Sequence, residues 1–487
     1  MNMEISRDSC VPVYQQIADN IAQKILEHEL CQGFKLPPER KLAAELSVHR
    51  NTVIKAYNQL IIEDLVVVSR ETPKGYFVKS VGDAVKFGKR FFPLEKPFQF
   101  EFHNAEKTFN DIYWQSCTND YISFGGIVMN NKIDPVKNME AVTKKIFDVS
   151  GTDGMWKFYD ETETLKKNIC TILAGQNIYV STKNVQIFSE STHVIGYLMM
   201  MYLREGDCIV AEGPMVPDYY SIFNNRKIHV IDIPMEHDGM KIDMLEEALR
   251  KYKPKFIYTI PNYHNPTGIS MSLKKRRALL NLANIYNVPV IEEDYQWDFA
   301  YEKKLPSLYT LDTNKLVIYL NSFTLTFPYM VKIGYAVGPT DLVDMMGYAV
   351  STDETMTGGI GQFFLNEYIS SGQYKEHIQI MQHEYKQKLD LLCDCLDKIA
   401  DKGISYIRPK GGLFVWCTLE KNINDKELYK IAKKNGILVM PGWVFYNNNR
   451  EKSGNLRLCF SKLTDQQIKK GTRILGKSLD EIRPKIK

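Results

Sequence analysis

Near the N-terminus, Tyr14, Ile17, Ile21 and Ile25 recur at helical spacing on one face and predict a first helix. A bend at Gly33 follows. Pro38 suits the first turn of a second helix that turns Leu42 and Leu46 inward, and Ser47 and Val48 form the turn that ends it. A third helix starts near His49, with Val53, Ala56, Tyr57 and Leu60 facing in and His49, Arg50, Asn51 and Lys55 left toward solvent. Leu65 to Arg70, a turn through Thr72 to Gly75, and Tyr76 to Val78 then predict a β-hairpin. Three helices and a hairpin make a winged helix-turn-helix, an α+β domain over residues 1–79.

From Val81 to Trp114 the chain loses its period and holds Phe91, Phe92, Pro93 and Pro97, so 80–113 is read as a linker. Beyond it, apolar runs (Asp207 to Ala211, Phe256 to Ile260, Val288 to Glu292, Leu316 to Leu320) alternate with helical patterns (Leu273 to Tyr286, Tyr374 to Ala400). Such alternation predicts an α/β domain over 114–487, its mostly parallel sheet covered by helices.

Composition changes this picture little. A chain of 487 residues, 44% hydrophobic and 25% charged, is ordinary for a globular protein with two or three cores. Its longest apolar stretches, such as Val194 to Leu203, fall short of the roughly 18 residues that suggest a membrane span, and no signal-peptide order opens it. The chain is therefore expected in the cytoplasm, with no membrane partner. Nine cysteines without disulfide or metal spacing give no metal site. A net charge of +4 argues neither for nor against nucleic acid, and residues 1–80 hold ten acidic and ten basic side chains. An argument for DNA must rest on where charges sit.

They sit suggestively. A helix-turn-helix offers the N-terminal residues of its second helix to base edges in the major groove. Here those residues are His49, Arg50, Asn51 and Thr52. Arg50 can bond a guanine or a phosphate bidentately, and Asn51 and Thr52 offer short polar contacts. Lys35 and Arg40 flank the preceding helix, and Arg70 and Lys74 sit on the wing. Double-stranded operator DNA is the expected partner of this end. Val13-Tyr14-Gln15-Gln16-Ile17, Leu36-Pro37-Pro38-Glu39-Arg40-Lys41-Leu42-Ala43, Val48-His49-Arg50-Asn51-Thr52-Val53 and Gly75-Tyr76-Phe77-Val78 resemble the GntR family of bacterial regulators. That resemblance implies DNA contacts for Arg40 and Arg50. Pro73 stands where a first wing glycine is usual.

The large domain carries a second set of motifs. Pro261-Asn262-Tyr263-His264-Asn265-Pro266-Thr267-Gly268 resembles the fold-type I aminotransferase loop, with Asn265 matching the asparagine that bonds the ring hydroxyl of pyridoxal phosphate. Ile291-Glu292-Glu293-Asp294-Tyr295 resembles the strand end that supplies an acid to the pyridine nitrogen and a tyrosine to the ring oxygen. Glu293 matches that acid, and Asp294 would match it in a shifted register. Gly411 to Trp416, Met440-Pro441-Gly442 and Asn455-Leu456-Arg457-Leu458 resemble the motifs of a smaller C-terminal α+β subdomain, with Arg457 in the place of the arginine that clamps a substrate carboxylate. Taken whole, the chain resembles the MocR subgroup of GntR regulators.

It also departs from the aminotransferase pattern. Ser322-Phe323-Thr324-Leu325 places leucine where the resemblance implies the Schiff-base lysine, and reaches Gly334-Tyr335 at the family's spacing. The nearest lysine, Lys332, matches a phosphate-binding arginine. Ser189-Glu190-Ser191-Thr192 puts a carboxylate at the glycine of the phosphate cradle, and Val216 stands where a tyrosine is usual. These departures predict a regulator without aminotransferase activity and with no covalently bound cofactor. Its cleft, built from Asn265, Glu293, Tyr295, Lys332 and Arg457, would hold non-covalent pyridoxal phosphate, an amino acid or another small carboxylate effector, or nothing, the body then serving only to form a homodimer. The alternative is a pyridoxal-phosphate-dependent aminotransferase with an accessory DNA-binding domain.

Overall fold

The computed structural model describes residues 11–26, 29–69, 74–79, 104–118, 120–127, 158–327, 331–353, 359–447 and 453–482, with a few single positions near residues 3–7 and 140–144. The chain divides into two compact units, 1–100 and 101–487.

In the first unit, α1 (Val13–Leu26), α2 (Glu39–Glu45) and α3 (Arg50–Ile62) precede β1 (Val66–Ser69) and β2 (Gly75–Val78). Ile17, Ile21 and Ile25 of α1 meet Leu42 of α2 and Val53, Ala56, Tyr57 and Leu60 of α3 in one core, all buried. This is the inward face that the helical spacing predicts. β1 and β2 pair antiparallel, Val66 opposite Val78 and Ser69 opposite Gly75. The Gly33 segment does more than bend. Leu36 N–H donates to Tyr76 O at 2.9 Å and Val78 N–H to Phe34 O at 2.9 Å, so residues 34–36 run along the wing and supply its edge with partners.

The second unit is built on an eight-stranded sheet. Its strands are β3 (Val185–Phe188), β4 (Cys208–Gly213), β5 (His229–Glu236), β6 (Gly239–Met240), β7 (Ile257–Thr259), β8 (Val290–Glu293), β9 (Val317–Ser322) and β10 (Gly334–Val337). They lie in the order β3-β10-β9-β8-β7-β4-β5-β6. The run β9-β8-β7-β4-β5 is parallel throughout, and only the pairings that involve β10 and β6 are antiparallel. β4, β7, β8 and β9 are the four apolar runs of the sequence, and β7, β8 and β9 are buried at every position, as a sheet covered on both faces requires. An antiparallel sheet of β11 (Ile404–Tyr406), β12 (Phe414–Leu419), β13 (Met440–Pro441) and β14 (Asn455–Cys459), in the order β11-β12-β14-β13, forms the C-terminal subdomain under the helices Gln373–Asp397 and Asp465–Ile482.

One boundary differs from the expectation. A helix, Asn104–Cys117, begins inside the stretch read as linker, and its Phe109 and Ile112 are buried in the core of the second unit. Proline and the lysine-rich run before it hide its period, which starts only at Ala105. Among the described residues no helix is long and apolar enough to cross a membrane, and no cluster of His, Cys, Asp and Glu could hold a metal ion.

Candidate functional site

The recognition helix of the first unit starts with a cap. His49 is the N-cap residue of α3, and its Nδ1 accepts from the backbone N–H of Asn51 at 3.2 Å. Sequence reasoning placed His49 among DNA contacts and did not see this local use. Lys35, Arg40, His49, Arg50, Asn51 and Lys74 are exposed and Thr52 is half-buried; Arg70 lies outside the described residues. The Lys35 ammonium sits over the Phe77 ring at 5.8 Å, which rests its stem on the wing. Glu39 is the member of this surface that was missed. Its carboxylate accepts from Tyr76 Oη at 3.1 Å and lies 3.6 Å from the Arg50 guanidinium. A single acid in the first turn of α2 thereby ties the wing to the first residue of the recognition helix.

In the second unit a cavity of about 610 Å³ opens beside the C-terminal ends of the parallel strands. Asn265, Glu293, Tyr295, Lys332 and Arg457 all line it, and so do Glu190, Val216 and Leu325. The structure thus brings all five residues of the expected ligand set to one cavity.

The strand pleat decides between Glu293 and Asp294. Side chains of successive strand residues point to opposite faces, and three consecutive acids at the end of β8 are all buried. Glu292 accepts from Leu308 N–H and Tyr309 N–H at 2.8 Å each, and Asp294 accepts from Asn262 Nδ2 at 2.9 Å and Tyr319 Oη at 3.1 Å. Glu293 alone of the three lines the cavity. It accepts from Ser191 Oγ at 2.6 Å, from Tyr219 Oη at 2.7 and 2.8 Å, and from Tyr258 Oη. Burial raises its pKa, and these hydroxyls oppose the rise. Tyr219 and Tyr258 were not foreseen. Tyr219 lies two residues into the helix Pro217–Asn224, a short step past Val216.

Glu190 stands at the N-cap of the helix Ser191–Tyr202. One carboxylate oxygen accepts from Ser191 N–H at 3.3 Å and the other from Thr324 Oγ1. A helix N-terminus attracts anions through its unpaired N–H groups and its dipole, and here the chain supplies the anion itself. Gly334 permits this packing, since a Cβ there would meet Ser191 N at 2.7 Å and Glu190 C at 2.8 Å.

Arg457, on β14, is fully buried. Its guanidinium donates to Asn265 Oδ1 and to Gly125 O, both at 2.9 Å, and lies 4.7 to 5.4 Å from the ring centres of Phe414, Phe445 and Phe109. Its Nε has no hydrogen-bond partner, and no carboxylate pairs with it among the described residues. Burial brings its pKa down to about 10. The aromatic wall continues through Tyr113 and Trp114 of the helix Asn104–Cys117, the element lost in the supposed linker. Phe109, Ile112 and Ser116 at helical spacing were the available signal.

Fold and sites together define an aminotransferase-shaped body joined to a winged helix-turn-helix. Residues 129–475 match the model of aminotransferase class I and II, and the chain belongs to that family. Residues 13–78 match the bacterial regulatory proteins of the gntR family, a domain that implies DNA binding. This pairing is the arrangement of MocR-type GntR regulators. Among similar proteins, two named as uncharacterized HTH-type transcriptional regulators from Bacillus subtilis (strain 168) align nearly end to end. YisV is 25% identical over 94% of this chain and 93% of its own length, and YdfD 25% identical over 97% of each. Among solved structures, a kynurenine aminotransferase of Pyrococcus horikoshii, crystallised with PMP, is 27% identical with a TM-score of 0.72, covering 82% of this chain and 98% of that one.

Proposed function

We propose that the chain is a DNA-binding transcription regulator whose aminotransferase-shaped domain senses a small carboxylate or amino acid without Schiff-base chemistry. The observation that carries the reading is Arg457, a buried guanidinium lacking a carboxylate partner in a cavity large enough for a ligand. A buried charge is costly when unpaired, and an incoming carboxylate removes that cost.

Leu325 on the cavity wall, in the place the family gives to its lysine, speaks against the alternative of an active aminotransferase. The same cavity fits pyridoxal phosphate poorly. Its helix N-terminus is capped by Glu190 rather than left open to a phosphate, and Lys332 is the sole lysine along its described lining. At the other end of the chain, Lys35, Arg40, His49, Arg50, Asn51, Thr52, Arg70 and Lys74 are assigned to DNA. A homodimer placing two such readers on paired half-sites gains avidity from their linkage.

The test is an absorbance scan of the purified protein with added pyridoxal phosphate, run beside thermal shift against amino acids. A ligand at about 100 times its dissociation constant raises stability by roughly 2.7 kcal/mol. An aldimine band would favour the enzyme reading. Thermal stabilisation by a carboxylate without such a band supports the regulator reading.

A further inference from the structure

Chain ends stay ordered only where something ties them down, and before α1 the tie is Gln16. Its Oε1 accepts from Ser6 N–H at 3.0 Å, and its Nε2 donates to Ser6 O at 2.9 Å and to Val11 O at 2.7 Å. Both ends of one side-chain amide are thereby spent on backbone that precedes the helix. Met3 and Ile5, just ahead of Ser6, pack against the core of the first unit.

This clamp positions the next residue, Arg7, whose guanidinium donates to Ser47 O at 3.1 Å. Ser47 belongs to the turn between α2 and α3, has a left-handed φ of 52° and stands two residues before His49, the N-cap of α3. At most about 11 Å of backbone separates Ser47 from Arg50, less than the roughly 12 Å width of the major groove. Arg7 therefore shares the end of the reader that Arg50 and Asn51 define, although it lies 40 positions before Ser47 in sequence. No carboxylate pairs with Arg7 among the described residues, whereas Arg50 has Glu39 at 3.6 Å. Arg7 and Ser47 are both exposed, and one carbonyl engages only one of the five N–H donors of a guanidinium. A hydrogen bond that water can replace adds little to an exposed turn. A hydrated, unpaired guanidinium held at the rim of the groove suits a phosphate.

Resting on the DNA-binding reading of the first unit, we propose that Arg7 is a phosphate contact: with α3 in the major groove, its guanidinium binds the sugar-phosphate backbone beside the base edges that Arg50 reaches. The partner is the phosphodiester chain of duplex DNA, recognised by charge and without regard to sequence. The segment before α1 thus forms a third arm of the reader, besides the recognition helix and the wing.

The test is the salt dependence of binding between the full-length protein and a labelled random-sequence duplex, followed by fluorescence anisotropy. Each phosphate neutralised contributes about 0.9 to the slope of log affinity against log salt. Arg7→Gln should make that slope shallower by about 0.9 per bound reader, so that its deficit against the parent shrinks about 3.5-fold between about 50 and 200 mM salt. Arg7→Lys, which keeps the charge, should keep the parental slope. A residue that only braces the turn would change affinity by one factor at every salt concentration, and a parental slope in Arg7→Gln would therefore overturn the proposal. A slope as shallow in Arg7→Lys as in Arg7→Gln would overturn it too, since charge would then not be what the contact uses. Arg7 is exposed, so both variants should fold, and their melting temperatures check this. If the parent itself binds no duplex at about 50 mM salt, the DNA-binding reading falls, whereas a bound parent with an unchanged Arg7→Gln slope removes Arg7 alone.

Discussion

The two candidate sites of this chain are built in opposite ways. The reader assembles its chemistry from residues 35–52 and a neighbouring hairpin, and almost all of it is exposed. The cavity draws on residues from Phe109 to Arg457, and its decisive charges are buried. Among the described residues of the first unit no carboxyl group is fully buried, whereas the second buries Glu212, Glu292, Glu293 and Asp294. A surface that meets a polyanion keeps its charges hydrated until the partner arrives. A cavity that discriminates small ligands holds its charges in a low dielectric, where each unmatched one is expensive.

The sharpest way to break this contrast is to treat the cavity as a dormant enzyme. Leu325→Lys supplies an amine, but a phosphate dianion at about 4 Å from Glu190 in an effective dielectric near 20 meets roughly 8 kcal/mol of repulsion, an upper figure. Leu325→Lys alone should show little aldimine absorbance with pyridoxal phosphate, and Leu325→Lys with Glu190→Gly clearly more. Equal absorbance would show that Glu190 does not guard the helix end.

At the reader, Arg40→Ala with Arg50→Ala should remove specific operator binding, with each arginine that reads a base edge worth about 1 to 3 kcal/mol. Unchanged affinity in a gel-shift assay would end the assignment of this surface to DNA.

Buried acids should also give the second unit a pH dependence that the first lacks. Burial lifts Glu212 from 4.5 to about 7, so the folded chain keeps a proton that the unfolded chain releases. The stabilisation is complete below the unfolded value and is lost as pH rises through about 7. His264 beside it, brought down to about 3 by burial, stays neutral in the fold while the unfolded chain binds its proton below about 6.5, so it offsets part of the loss below that pH and none above it. Glu212→Gln should flatten the decline in stability between about pH 5 and 8 by up to about 3 kcal/mol, read by denaturant titration. A decline as steep as in the parent would mean that Glu212 is ionised in its buried position.

The smallest expected effect lies on the wing. Lys74→Ala should weaken all DNA sequences alike and reduce the salt slope by about one. A change in sequence preference instead would make Lys74 a base reader.

How much the sequence revealed follows the same divide. In the reader, helical spacing placed Val53, Ala56, Tyr57 and Leu60 inward and Arg50 and Asn51 outward, because one helix decides both faces. Period also located β4, β7, β8 and β9 and the helix Leu273–Tyr286. The cavity's residues were legible as motifs, but their partners were not. Neither Tyr258, on a strand next to β8, nor Ser191, about a hundred positions before Glu293, betrays in the sequence that it donates to that carboxylate. The choice between Glu293 and Asp294 depends on which face of the sheet adjoins the cavity, a property of the assembled layers. Phe109, Tyr113 and Trp114 went unseen because the helix that carries them follows an aperiodic, proline-containing stretch.

The Glu39 contact has a consequence for how a regulator of this kind would search a chromosome. Arg50 is loosely held by a carboxylate of its own domain at 3.6 Å, so any phosphate it meets must first compete with Glu39. That internal rival takes the same toll on every encounter, operator or not. A contact with good geometry, such as a bidentate guanine, retains more net binding after that cost than a single phosphate contact does. An equal cost shortens residence on random DNA and on the right site by the same factor and leaves their ratio unchanged. A weak ion pair thereby sets how long the reader dwells on any DNA, and the choice among sequences is left to the contacts that replace it.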